Sequence, residues 1–211
     1  LKNSIEMGKG EKTKQFIIEK SADLFNQKGF HGTRIEDIMQ ATGLTKGGIY
    51  GCFKPESEQD TLGVKEKIAA AAFDRAVQRV YEAIGERTSV IENALDKLKA
   101  VIYFYRERLL NPPVEGGCPI QNTAVEADDA NPLLREKVVE AIAAWQRRIM
   151  RTLEKGIEKG EVKPETNLVE FATVFIGNLE GGILLSRIQR NIQPFEMMAK
   201  QTLCLIESIR V

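Results

Sequence analysis

The 211-residue chain predicts an all-α fold of about nine helices, a small N-terminal helix-turn-helix unit of three helices followed by a larger helical domain. Three observations predict it. Apolar residues recur at i, i+4 and i+7 along most of the chain, which is the period of a helix with one buried face. Glycine, proline and small polar residues punctuate those stretches where helices start and stop. Sustained alternation of apolar and polar residues, the mark of a half-buried strand, occurs nowhere.

Residues 11–28 read as the first helix, with Ile17, Ser21, Leu24 and Lys28 on one side and Ile18, Ala22 and Phe25 widening the apolar stripe. Gly29 is its stop, free to take the left-handed conformation that closes a helix. The quartet "TRIE", Thr33 to Glu36, has the spacing of a capping box, in which Thr33 accepts the N–H of Glu36 and Glu36 reaches back. The helix it opens runs to about Thr42 and buries Ile35, Ile38 and Met39. Gly43 breaks it, and Thr45 caps a short third helix with Leu44, Ile49 and Phe53 facing inward. Two short helices joined by a glycine-containing turn make a helix-turn-helix.

The remaining elements follow the same logic. "KPESEQDTLG" after Phe53 reads as a loop, and residues 65–84 as an alanine-rich helix ended by Gly85. A helix over 88–110 carries Ile91, Leu95, Leu98, Ile102 and Tyr105 on one face. "NPPVEGGCP" is a loop, 120–129 a short helix, and Asn131-Pro132 opens a long helix to about Lys159 with a cap and a proline at the first helical position. Two further helices are expected over 167–190 and 194–209. The division expected from this reading is 1–64 for the N-terminal unit and 65–211 for the rest.

Composition limits the function. Hydrophobic residues at 43% and charged residues at 28% describe a globular chain. No wholly apolar run approaches the roughly 20 residues of a membrane span. Residues 1–14 are polar and lack the apolar core of a signal peptide, so a frayed tail is expected there. Three widely spaced cysteines, Cys52, Cys118 and Cys204, include no CxxC pair, and His31 is the single histidine. That argues against a zinc site and leaves no evident catalytic base; no metal, cofactor or catalytic residue is expected. Formal net charge is zero, but residues 1–54 carry nine Lys/Arg against six Asp/Glu, and the remainder 21 against 24. The mild positive bias lies on the helix-turn-helix side.

The stretch "ATGLTKGGIYGCF", Ala41 to Phe53, carries the chemistry. Each interior glycine costs a helix about 1 kcal/mol relative to alanine, and Gly47, Gly48 and Gly51 crowd into one short helix. The second helix of a helix-turn-helix docks in the major groove by its N-terminal turn. A face without Cβ atoms lets that backbone approach phosphate or base edges. Thr45 offers a hydroxyl, Lys46 a charge, and Tyr50 lies one turn beyond Lys46 on the outward face. These residues, with Gly47 and Gly48, are the expected DNA contacts. Thr33 is primarily a cap and additionally a phosphate contact, and His31 a loop residue beside the DNA backbone.

Phe16 to Phe53, "FIIEKSADLFNQKGFHGTRIEDIMQATGLTKGGIYGCF", resembles the DNA-binding domain of TetR-family transcriptional regulators. The end of the first helix, "TRIEDI" in the second, and "GLTKGGIYGCF" across the turn and third helix carry the resemblance. Gly116 to Val138 is similar, less specifically, to the matching segment in one branch of the same family. The resemblance implies a cytoplasmic all-α homodimer, with a C-terminal domain that binds a small molecule and last two helices that form the dimer bundle. It further implies a phosphate contact at the start of the fourth helix, from Lys54 or Lys65. Two departures stand out: Cys52 occupies a position where the family usually has histidine, and about nine residues are inserted between Phe53 and the "KEKI" at Lys65.

On this reading the ligand site is expected among Tyr103, Phe104, Cys118, Gln121, Asn122 and Trp145, aromatic walls with a few orienting polar groups. The dimer bundle is expected to use Phe171, Phe175, Leu179 and Ile183 from one helix and Met198, Thr202, Leu205 and Ile209 from the next. The function implied is a ligand-released repressor on a pseudo-palindromic operator. Its partners are operator DNA, an unidentified small-molecule effector and a second copy of the chain, with no membrane. The alternatives are an activator, a helical dimer that does not bind DNA, or an enzyme using Cys118 in the C-terminal pocket.

Overall fold

The computed structural model describes residues 8–55, 57, 60–109 and 112–211. The expected frayed tail, part of the inserted 54–64 segment and the junction at 110–111 therefore lie wholly or partly outside the described residues. Among the described residues nine helices follow in order: α1 Lys9–Gly32, α2 Ile35–Thr42, α3 Lys46–Cys52, α4 Val64–Thr88, α5 Ala94–Arg108, α6 Pro119–Ala127, α7 Pro132–Glu158, α8 Leu168–Gln189 and α9 Gln193–Ser208. Apart from an isolated bridge between Val162 and Arg210, they contain no strand pairing.

Several helix ends are set by the residues that sequence signals point to. Gly29 breaks the helical geometry of α1 at φ +72°, and a single further turn follows it. Gly43, at φ +69°, closes α2 by donating its N–H to Met39 O at 2.8 Å. Side chains of Thr45, Asn131 and Asn167 accept the N–H three residues on and open α3, α7 and α8; such caps contribute about 1 kcal/mol each. Two boundaries differ from expectation. Gly85 lies inside α4, not at its end, and α5 opens at Ala94 on an Asn93 cap instead of near Thr88.

The chain forms two compact units, Leu1–Val77 with Val114–Lys137, and Gln78–Pro113 with Val138–Val211. The first unit thus contains α6, and the linear division expected at 64/65 does not coincide with it. The reason is polar. Asn26, buried on α1, donates its side-chain amide to Glu115 O at 2.7 Å and Gly117 O at 3.0 Å. Asn122 on α6 returns its amide to Asn26 O and Oδ1 and to Gly116 O, each at 3.0 Å. Gly116 sits at φ +104°, and a Cβ there would fall 2.6 Å from the Asn26 carbonyl oxygen. A glycine is required at this crossing both for its dihedral angle and for its bareness.

The core of the first unit is Ile17, Ile18, Ile38, Ile49, Phe53 and Ile68, with Leu24, Ile35, Met39 and Leu44 packed on it. Burial of each large aliphatic contributes about 1.5–3 kcal/mol. That is how α2 and α3, of eight and seven residues and too short to stand alone, are held against α1.

In the second unit α8 and α9 pack along one another, and α5 packs on both. A Cβ on Gly182 would stand 3.1–3.3 Å from Phe195 and Met198, so the two helices meet closely there. The buried Ser186 hydroxyl accepts the N–H of Phe195 at 2.8 Å and fixes the corner between them. Glu207 on α9 pairs with Lys99 on α5 at 2.6 Å and with Arg210 at 2.7 Å. The hydrogen bond from Arg210 first, and that from Lys99 second, lower the Glu207 carboxyl from 4.5 to about 2. By length and composition alone Leu168–Gln189 would suffice to cross a membrane, a test that the core helix of a globular chain also passes. Three isolated charges, Glu170, Glu180 and Arg187, interrupt it without lowering its mean hydropathy enough to exclude it.

Candidate nucleic-acid interface

α3 is held from one side and open on the other. Ile49 and Phe53 are buried in the core of the first unit, whereas Thr45, Lys46, Gly47, Gly48 and Tyr50 are all exposed. A Cβ on Gly47 or Gly51 would meet nothing within 4 Å, so neither glycine is needed for packing within the chain. Thr45 Oγ1 accepts the N–H of Gly48 at 3.2 Å. Lys46 Nζ lies 5.6 Å from the centroid of the Tyr50 ring, which is 41% exposed. The two outward side chains expected to face DNA thus lean together on one surface. Lys54 is exposed just beyond, its carbonyl accepting from Lys67 Nζ at 3.2 Å. Cys52 packs against the apolar cluster, a setting that suits a small apolar thiol.

Two of the expected contacts sit in less open settings. Thr33 has no exposure; its hydroxyl donates to Gly29 O at 2.7 Å and to Leu24 O at 3.4 Å, closing the end of α1. It is not the cap of α2, and its side chain is buried. The capping residue is Arg34, whose backbone N–H is accepted by Asp37 Oδ2 at 2.7 Å, one register later than expected. Hydrogen bonding from Lys28, and then from the Arg34 N–H, holds the Asp37 carboxyl below its ordinary value. Lys65 is half-buried, with Nζ 4.4 Å from the Phe30 ring centroid, so its charge is already engaged by an aromatic face.

Glu126, on α6, was not legible as functional. Its carboxylate accepts the backbone N–H of Phe30 and of His31, the latter at 2.8 Å. The signal lay in Gly29: a positive φ there strands the next N–H groups without helical acceptors, and they need one from elsewhere. A side chain at position 29 would collide with that carboxylate.

The six expected ligand residues divide between the two units. Cys118 and Asn122 belong to the first unit, where Cys118 precedes α6 and Asn122 ties it to Asn26; Gln121 lies beside them on α6. In the second unit Tyr103 is exposed and Phe104 is buried packing. Trp145 alone lines the cavity there, a space of about 410 Å³ between α4, α5 and α7. Tyr81, Ile84, Lys97, Leu98, Arg148 and Ile149 also line it; none of them was expected as a ligand contact, and Leu98 was expected only as part of an apolar helix face.

The expected dimer face also turns inward. Phe171, Phe175, Leu179, Ile183 and Thr202 are 0–4% exposed within the single chain, and Met198, Leu205 and Ile209 are half-buried. They pack the α8–α9 pair. α8 is apolar on two sides, and the outward side carries Val174, Gly177, Gly181, Leu184 and Ile188 at alternating steps of three and four residues. Ile188 is 77% exposed, and a Cβ on Gly177 or Gly181 would meet nothing.

The model of the tetR family of bacterial regulatory proteins matches residues 17–54. That of the tetracyclin repressor-like C-terminal domain matches residues 94–202. An HTH-type transcriptional regulator of Mycobacterium tuberculosis is 30% identical over 187 residues, 88% of this chain and 89% of its own. The HTH-type transcriptional repressor DhaR of a Mycobacterium species is 24% identical, over 87% of this chain and 86% of its own. The crystal structure of a TetR transcriptional regulator from Chloroflexus aurantiacus is 38% identical and superposes with a TM-score of 0.86, covering 97% of this chain and all of that one.

Proposed function

The chain belongs to the TetR family of bacterial transcriptional regulators, DNA-binding proteins and not enzymes, and from that premise we propose that it is a cytoplasmic, ligand-released repressor that binds a pseudo-palindromic operator as a homodimer. The observation that carries the reading is the two-sided α3. Ile49 and Phe53 lock it into the core while Lys46, Gly47, Gly48 and Tyr50 stand open. The glycines admit the backbone of α3 to the groove, Thr45 and Lys46 hold phosphates, and Tyr50 reaches base edges or sugar. Lys54 adds a phosphate contact next to α3.

Two copies place their α3 helices in successive major grooves, about 34–36 Å apart. The outward stripe of α8 supports the pairing, since Gly177 and Gly181 let a second helix come close between Val174, Leu184 and Ile188. The cavity of the second unit receives the effector, whose preference for one of two dimer geometries releases DNA. That DhaR is named a repressor supports the sign of regulation. Gel shifts with the DNA upstream of the protein's own gene test the proposal: a retarded band that weakens steeply with salt is expected. Failure of the full chain to retard any genomic fragment would overturn it.

A further inference from the structure

The cavity of the second unit is lined by two kinds of chemistry. Leu98, Trp145 and Ile149 are buried, and with Ile84 they make an apolar floor. Lys97 from α5 and Arg148 and Arg151 from α7 add three cations, and no Asp or Glu lines the space. Among the described residues none of these three cations has an ion-pair partner. Elsewhere on the same unit three cations do pair with acids, Arg87 with Glu107, Lys99 with Glu207 and Arg106 with Glu196. Three unmatched like charges around an apolar hollow repel one another and attract an anion into it.

One of them is also held in place. The Arg148 guanidinium lies 4.2 Å from the Tyr81 ring centroid, and the Tyr81 hydroxyl donates to Ala141 O at 3.2 Å. A guanidinium stacked on a ring keeps its fork of donors for a planar acceptor. At about 410 Å³ the cavity falls within the range of small-molecule sites.

Resting on the reading of this cavity as the effector site, we propose that it takes an amphipathic carboxylate. The acyl or aryl body lies on Leu98, Trp145 and Ile149. The carboxylate meets Arg148 and Arg151, with Lys97 completing the charge.

Trp145 is the single tryptophan of the chain, so its emission reports on the site directly. The full chain is titrated with decanoate, 1-decanol and decyltrimethylammonium, which share a body and differ in the head. Decanoate is expected to perturb Trp145 at a concentration at least tenfold below the other two. Arg148→Gln and Arg151→Gln are each expected to weaken decanoate roughly fivefold to tenfold and leave decanol unchanged, which also shows that the floor is intact. Equal binding of decanol or of the cation, variants that bind decanoate as well as the parent, or no response to any probe would each overturn the proposal. Parallel gel shifts separate it from the regulatory reading. Charge-dependent binding of decanoate without release of DNA supports the anion site and sinks ligand release. Release by decanol but not by decanoate keeps ligand release and sinks the anion site.

Discussion

The carboxylate of Glu126 sits 2.8 Å from the backbone nitrogen of His31 and accepts the N–H of Phe30 as well. These are the two groups left over where Gly29 turns the chain out of α1. One side chain from residue 126 thereby closes a helix of the DNA-binding unit. Glu126→Ala leaves both N–H groups without their acceptor and is expected to destabilise that unit by about 1–3 kcal/mol. The measurement is urea unfolding together with hydrogen exchange of the Phe30 and His31 amides. Unchanged exchange at both positions would show that the carboxylate is not their protector.

Lys46→Ala and Tyr50→Ala remove exposed side chains, so helicity and unfolding midpoint are expected to stay within about 0.5 kcal/mol of the parent. Operator affinity is expected to fall in both. Lys46→Ala should also reduce the slope of log K against log salt by about one, the signature of a lost phosphate contact. Thr33→Val is the contrasting case: it costs about 1 kcal/mol of stability through the Gly29 carbonyl and leaves the salt slope alone.

The two faces of α8 are expected to answer differently. Phe175→Ala empties a fully buried site and costs about 3–5 kcal/mol of stability. Ile188→Arg, on the outward stripe, should leave helicity intact, shift sedimentation toward the monomer and weaken operator binding. A dimer that survives Ile188→Arg and Leu184→Arg together would place the pairing surface elsewhere.

Glu207 gives a pH dependence with a defined sign. Arg210 and Lys99 hold its carboxyl near 2 in the folded chain, against 4.5 ordinarily, so folding favours its ionised form. Its contribution is complete above about pH 4.5 and is lost as the pH falls through 2. Glu207→Gln should flatten the acid limb of the stability curve in that window and change little at pH 7 beyond the constant loss of the pair. The pair is exposed, so added salt should shrink the difference.

The helices and their turns were legible because apolar period, cap and glycine stop agree with one another at α1, α3, α7 and α8. The capping box was ambiguous by one residue, since both Thr33/Glu36 and Arg34/Asp37 have the spacing. The Gly29 carbonyl decides it by drawing the Thr33 hydroxyl inward. The faces of α8 were not legible, because Phe171–Ile183 and Val174–Ile188 are both apolar stripes and periodicity does not say which one the chain covers itself. The open side of α3 was legible, because glycines without a packing role crowd a short helix there while Ile49 and Phe53 point inward. The cavity was not, since its cations come from two helices that are distant in sequence and look, singly, like solvated positions.

The crossing of Asn26, Gly116 and Asn122 also bears on the order in which a ribosome delivers this chain. Residues 78–113 must emerge between the two parts of the first unit. At roughly 5–20 residues per second, the nascent three-helix unit waits several seconds for Glu115–Glu126 before the Asn26 and His31 contacts can close. Until then it is a partly assembled reader of DNA. On the proposed function, the reader is complete only once Val114–Lys137 has been translated, so a chain that stops short of residue 114 lacks part of its DNA-binding unit.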